Sequence, residues 1–492
     1  MTASDTATPS AAKPKPASLR RKALGASGWT LAQMGGQYLF RLGSNLIMTR
    51  LLMPEAFGLL GMGVMVITAL TLFTDIGIGQ SLVREKGSDE PHFLRVAWTV
   101  KIVRSIGISA AVVAVAGLIA LLAPRYAPEG TVYADPRLPL LVALTAFTTL
   151  FQGLTSTNKD MTMRRLDYRI FALVMLGSQA ASIVTMVIFA LISPTVWALL
   201  SGMLMGSLFQ CVLSHYLFPG PKMRLEWDRE IAARLWGFGK WIMVTSGLTF
   251  IQRTADKFIL GALLGAAAFG LYVIAMVWIE AGRSVITLMA SRVGFPAVSE
   301  VRRTRPADLP RVYRRFQSGI DVLCLAAFLV FLFGGQWMVD LLYTSDYSLA
   351  GHYVSLLSLL FLTVRYEPFN QLLITVGNSR ATSIVAGTRA LAVCVLLPLA
   401  HMAGGIDLVI LAVALIPLLG ASYSLRCLLP TLGARQIRFD YAVMVAILLT
   451  AIVVFVSLER QTTPAGPPAT TAAPAPAAPA APAAPAAPAS GN

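Results

Sequence analysis

Apolar runs of about twenty residues, each long enough to cross a hydrocarbon core, succeed one another along the chain and are separated by short polar segments. They predict membrane-spanning helices at 27–49, 57–79, 96–123, 138–158, 170–192, 196–218, 238–262, 266–289, 318–342, 350–376, 381–402, 406–428 and 441–458. A strand reading fails, because the runs are too long and do not alternate. With the N-terminus in the cytoplasm, the inner segments hold 26 Lys and Arg and the outer ones 4 (Arg50, Arg125, Arg137 and Arg460), a positive-inside pattern. The segment 222–236 places Leu225, Trp227, Ile231 and Leu235 along one stripe. That spacing predicts an amphipathic helix, lying in the interface or serving as a plain linker. The tail from Thr462 is Ala/Pro repeat with no means of burying a core, and is expected to be disordered. It lies outside if 441–458 crosses and inside if that segment does not.

Composition sharpens the class. Of 492 residues, 56% are apolar and only 13% charged, with mean hydropathy +0.68, whereas a soluble domain carries roughly 25% charged residues. The net charge of +16 reads as a topology signal and not as a nucleic-acid surface. Residues 1–24 are polar and basic with no cleavable apolar core, which predicts a retained cytoplasmic arm. Cys211, Cys324, Cys394 and Cys427 lack metal or CxxC spacing. His92, His215, His352 and His401 stand apart, and no Walker A, HExxH or DxD motif occurs. Nothing in these patterns calls for a metal or a cofactor, and a membrane enzyme is disfavoured.

An internal repeat sets the architecture. Shifting the chain by 212 residues aligns Gly25/Gly237, Trp29/Trp241, Arg41/Arg253, Ala56/Ala268, Phe57/Phe269 and Gly58/Gly270 among 13 identities over 25–71. Six spans separate the copies, so both halves share one orientation, as in transporters built from parallel repeats. The expected fold is all-α: a six-helix lobe ending in the linker helix (25–236), a parallel six-helix lobe (237–430), an additional thirteenth helix (431–460) and the tail (461–492).

The runs RLLMPEAFGLL and DIGIGQSLV in 50–86, with Asp256, Gly261, Gly265, Gly270 and Tyr272 in TADKFILGALLGAAAFGLY, resemble motifs of the Wzx-like polysaccharide flippases. These belong to the multidrug/oligosaccharidyl-lipid/polysaccharide exporter superfamily. The resemblance spans residues 25–430. It implies a two-lobed bundle in the bacterial inner membrane that moves polyprenyl-diphosphate-linked oligosaccharide to the periplasmic leaflet by alternating access. It also implies partners in polysaccharide polymerisation and export. A lipid II flippase and a drug/cation antiporter are the rival readings.

Charges inside spans are costly and usually face a cavity or a partner. In helix 1, Gln33, Gln37, Arg41 and Asn45 form one polar stripe, a cavity face or interhelical glue. Helix 7 carries Arg253, Asp256 and Lys257; helix 8 carries Glu280 and Arg283; helix 10 carries Arg365, Glu367 and Pro368. Arg41, Arg253, Lys257, Arg283 and Arg365, with Gln37 and Asn45, are the candidates for binding a diphosphate, which suits paired Arg donors. Asp256, Glu280 and Glu367 are candidates for H+ or Na+ coupling, or simply for internal ion pairs. Asp75, Gly77, Gly79 and Pro368 are gate or hinge candidates. Lys101, Arg104, Asp321, Arg389 and Asp407 lie nearer span ends, where snorkelling or helix termini account for them.

Overall fold

A computed structural model describes residues 16–84, 90–164, 168–290, 295–305, 308–376 and 379–462, and all regular structure among them is helical. The first half contains α1 (Pro16–Leu51), α2 (Pro54–Phe73), the short α3 (Ile78–Arg84), α4 (Pro91–Tyr126), α5 (Leu138–Leu154), the short α6 (Asn158–Arg164), α7 (Tyr168–Ile192) and α8 (Val196–Tyr216). The second half begins with α9 (Arg229–Leu263) and α10 (Ala266–Met289), the repeat counterparts of α1 and α2. It continues through α11 (Phe295–Thr304), α12 (Leu309–Leu342), α13 (Ser348–Leu357), α14 (Leu359–Val364), α15 (Glu367–Val376), α16 (Ser379–Leu432) and α17 (Ala434–Thr462). Nine helical stretches among the described residues are long and apolar enough to cross a membrane.

α16 is a hairpin. Gly404 and Gly405 leave helical geometry, Gly405 at φ +68°, a conformation open to glycine. Arg389 Nη2 then donates to Pro417 O at 3.3 Å. A straight helix would hold those residues about 42 Å apart at 1.5 Å per residue.

α1 starts at Pro16, ahead of the predicted span at 27–49 and within the segment read as a cytoplasmic arm; Pro is favoured in a first turn, and the following ASLRRKAL is made of residues compatible with helix. One reading from periodicity needs correction. The linker 222–236 is not one helix, because residues 221–228 are not helical and α9 begins at Arg229. Tertiary bonds override the stripe there. Glu226 Oε1 accepts from Arg95 (2.7 Å), Glu226 Oε2 pairs with His92 Nδ1 (2.8 Å), and Glu226 N donates to Thr99 Oγ1 (3.1 Å). Asp228 caps α9 by accepting from Glu230 N and Ile231 N. Ile231 and Leu235 are buried with Phe93 and Leu94, while Leu225 and Trp227 stay exposed. The tail beyond Thr462 lies outside the described residues.

The halves meet through the repeat itself. α2 and α10 cross where Gly58 and Gly270 face each other: a Cβ on Gly58 would strike Ala266 O, and one on Gly270 would strike Pro54 O. Pro54 and Ala266 are themselves counterparts in the 212-residue register. Close approach of two backbones at small residues is the membrane form of helix packing. Around this crossing Tyr347 OH donates to Leu52 O (2.6 Å) and Val132 N to Leu264 O (3.0 Å). α9 also packs along α2, whereas the counterpart pair α1 and α10 makes no comparable contact among the described residues.

Candidate functional site

The polar residues of α1, α9 and α10 are the candidates for a site between the halves. On α1, Gln33 Nε2 donates to Gln37 Oε1 (3.2 Å), and Arg41 one turn further is exposed. Asn45 Oδ1 accepts from Tyr343 OH at 2.8 Å, and the same hydroxyl accepts from Trp278 Nε1 at 2.7 Å. Tyr343 thereby joins α1 of the first half to α10 of the second. Lys257, the register counterpart of Asn45, is half-buried on α9. Its neighbour Asp256 accepts from Tyr272 OH at 2.9 Å, a partner the three- and four-residue spacing on α9 did not reveal. The Arg253 side chain lies outside the described residues.

On α10 the three-residue spacing brings Glu280 and Arg283 together at 2.7 Å. Their side chains remain 43% and 27% exposed. Arg283 Nη1 is committed to Glu280, but Nε is buried without an acceptor. A guanidinium carries five donors, and a buried one left unmet is costly. The exposed part of the Arg283 side chain, 27%, is what an oxyanion reaching α10 would meet beside Glu280.

At the far end of α2 the chain leaves helical geometry between Phe73 and Ile78. Asp75 Oδ1 accepts from Gly77 N (3.0 Å), Gly77 sits at φ +58°, and Ser246 Oγ of α9 donates to Asp75 Oδ2 (3.1 Å). Arg104 caps the helix, Nε donating to Thr74 O and Nη2 to Thr71 O, both at 2.7 Å. A Cβ on Gly239 of α9 would meet Ile76 O at 2.7 Å, so this break too lies against the second half. Gly79 faces Asp160 across α3 and α6.

Arg365 is elsewhere. The tenth predicted span is broken at Ser358 and again at Arg365–Tyr366, ahead of Pro368, which occupies the first turn of α15, where proline is tolerated. Arg365 turns inward, 3% exposed, and pairs with Asp321 and Asp440. It is thereby withdrawn from the accessible cations. Glu367 is 3.4 Å from Arg389. His352 Nε2 lies 3.2 Å from Asp407 Oδ2. Asp321, Arg389 and Asp407 thus have interior partners that a reading of them as span ends did not anticipate. Tyr343 and Trp278 carried no sequence signal at all.

A family described as "Polysaccharide biosynthesis protein" matches residues 47–350, more than half of the chain. The chain belongs to that family. This polysaccharide biosynthesis family member is 21% identical over 324 residues to the succinoglycan biosynthesis transport protein ExoT of Rhizobium meliloti (strain 1021). The match covers 63% of the chain and spans 62% of that protein's length. The family member also shares its fold with solved transporters. An inward-facing MATE family multidrug resistance transporter of the MOP superfamily superposes with TM-score 0.61 at 13% identity, covering 87% of this chain and 96% of its own. The lipid II flippase MurJ in an inward closed conformation gives TM-score 0.60 at 13% identity, covering 88% and 98%. A MOP superfamily transporter from Pyrococcus furiosus gives 0.55 at 14% identity, covering 89% and 96%. The family member is a multi-pass membrane protein with a transporter fold.

Proposed function

We propose that this protein is a flippase in the bacterial inner membrane, with its N-terminus in the cytoplasm. It moves polyprenyl-diphosphate-linked oligosaccharide units to the periplasmic leaflet for exopolysaccharide, capsule or O-antigen assembly. Family membership supports polysaccharide biosynthesis, and the shared fold supports transport by alternating access. The observation that carries the anionic headgroup is Arg283, a guanidinium partly exposed beside Glu280 within an apolar helix. Arg41 and Lys257 are the further cations proposed to line the path, with Gln37 and Asn45 beside them; Arg253 is proposed with them by its register with Arg41. The glycan needs only a hydrated interior, and the polyprenyl chain remains in lipid. An inside-negative potential favours outward movement of the anion by ~2.3 kcal/mol per charge per 100 mV. Polymerase and export proteins are the proposed partners, and H+ or Na+ the proposed coupling ion, with Asp256, Glu280 and Glu367 as its candidate carriers.

The test is mass spectrometry of lipid-linked oligosaccharides in cells with and without the gene. Accumulation of a completed repeat unit on polyprenyl diphosphate supports the proposal. Accumulated lipid II moves the assignment to peptidoglycan precursor transport. An unchanged lipid profile refutes a lipid-linked substrate and leaves the antiporter reading. Within the first outcome, Arg283→Gln removes charge-assisted bonds worth about 1.5–3 kcal/mol, so turnover should fall about 10- to 100-fold at unchanged protein level.

A further inference from the structure

Arg365 sits in the break between α14 and α15, where two other elements, α12 and α17, converge on it. Its Nε and Nη2 grip Asp321 of α12 in a two-pronged pair, at 2.8 and 2.9 Å. The same Nη2 also donates to Asp440 Oδ1 of α17 at 3.0 Å. Asp440 is 0% exposed and Asp321 30% exposed. The surrounding groups are polar but neutral. Gln317 Nε2 donates to Asp321 Oδ1 and to Arg365 O, both at 2.9 Å, and Tyr313 OH donates to Gln317 Oε1 at 3.2 Å. Tyr366 places its ring 4.9 Å from the guanidinium and its hydroxyl on Asp440 O. Gln436 Nε2 donates to Asp440 Oδ2 at 3.0 Å, while Gln436 Oε1 accepts from Arg314 Nε at 2.9 Å.

One guanidinium therefore faces two carboxylates. Its charge is spent on the forked pair with Asp321. The next cation, Arg314, is held off Asp440 by the intervening Gln436. A buried carboxylate that shares its one counter-charge with a second carboxylate is driven toward the protonated form, and part-exposed Asp321 gives protons a way in. We propose that Asp440 is a proton-binding site, and that its occupancy decides whether Gln436 holds Arg314.

The hydrogen-bond logic fixes the direction. With Asp440 ionised, both its oxygens accept, Gln436 shows its amide N–H to Oδ2, and its carbonyl is left for Arg314. A proton on Oδ2 makes that oxygen a donor. It then meets the Gln436 amide donor and forces the amide to turn its carbonyl inward. Arg314, exposed on the first turns of α12, loses its acceptor on α17. Proton binding thus loosens α17 from α12 at the arginine-rich end of the bundle.

The test uses the purified full-length protein in lipid nanodiscs without substrate, so it is independent of which lipid is transported. Infrared difference spectra taken on acidification should show a protonated-carboxyl band that is lost in Asp440→Asn. In Asp321→Asn that band should require more acid, because Arg365 then serves Asp440 alone. Phenylglyoxal footprinting of wild type should show the Arg314 rate, taken relative to the exposed Arg311 of the same sample, several-fold higher at acidic than at neutral pH. Asp440→Asn, whose amide N–H faces Gln436 as the protonated acid does, should show the higher relative rate at both. A wild-type Arg314 rate that keeps one ratio to Arg311 at both pH values, or an acid band that survives Asp440→Asn, overturns the proposal. The footprinting of wild type decides even if a variant fails to fold.

Discussion

The hydroxyl of Tyr343 serves both halves of the bundle, and removing it separates two contributions that Tyr343→Phe and Trp278→Phe distinguish. Its bond to Asn45 (2.8 Å) crosses between the halves, while its bond from Trp278 (2.7 Å) stays within the second half. A net hydrogen bond is worth about 1 kcal/mol. Only the Asn45 bond must break when the halves part near the α2–α10 crossing. Tyr343→Phe is therefore expected to weaken the closed state by about 1 kcal/mol, a roughly 5-fold gain in the open-to-closed ratio. Trp278→Phe loses a bond present in both states, and should lower thermal stability while leaving that ratio alone. Spin-label distance distributions across this end of the bundle in nanodiscs report the populations directly. A ratio unchanged by Tyr343→Phe, or moved equally by Trp278→Phe, would refute the account.

Three further outcomes are expected. Gly58→Leu and Gly270→Leu should each prevent α2 and α10 from meeting, seen as loss of a disulfide cross-link engineered across the crossing. Overpacking of this kind costs typically 1–3 kcal/mol, and the double variant should cost less than the sum, because both report one contact. The 217–228 segment should loosen in acid. His92 and then Arg95 hold the Glu226 carboxyl below its ordinary 4.5. The Ile231 amide, followed by His92, holds Asp228 below 3.8. Depressed carboxyls stabilise above their ordinary values and lose that contribution as pH falls through the lowered ones. Amide exchange of this segment should therefore be protected at neutral pH and accelerate below about pH 4; exchange already fast at neutral pH would contradict it. Arg104→Ala should fray the end of α2, read as faster exchange at Thr74 and Asp75 with α5 unaffected.

The helices were legible because a bilayer demands unbroken apolar length, and the 212-residue register was legible because duplication keeps position. The register named Gly58 and Gly270 as equivalents, while their meeting is visible only in the packed structure. Local spacing also revealed the Glu280–Arg283 pair. What spacing cannot convey is a partner on another element. Arg365 and Asp321 are 44 residues apart, Arg365 and Asp440 75. Nothing in either neighbourhood marks Asp440 as that arginine's second carboxylate. The linker failed for the opposite reason. Its stripe is real, but Glu226 and Asp228 are drawn to His92, Arg95 and the α9 N-terminus, and those bonds outweigh a marginal helical preference.

The reciprocal glycines also impose a schedule on synthesis. Gly58 is built to receive the first turn of α10, which follows it by roughly 200 residues, or about 10–40 s at a ribosomal rate of 5–20 residues per second. Throughout that interval the first half resides in the membrane with a backbone-exposing notch and no occupant. Lipid, the insertion machinery or a neighbouring chain must cover it, and the arrival of Gly270 is the moment at which the crossing between the two halves can form.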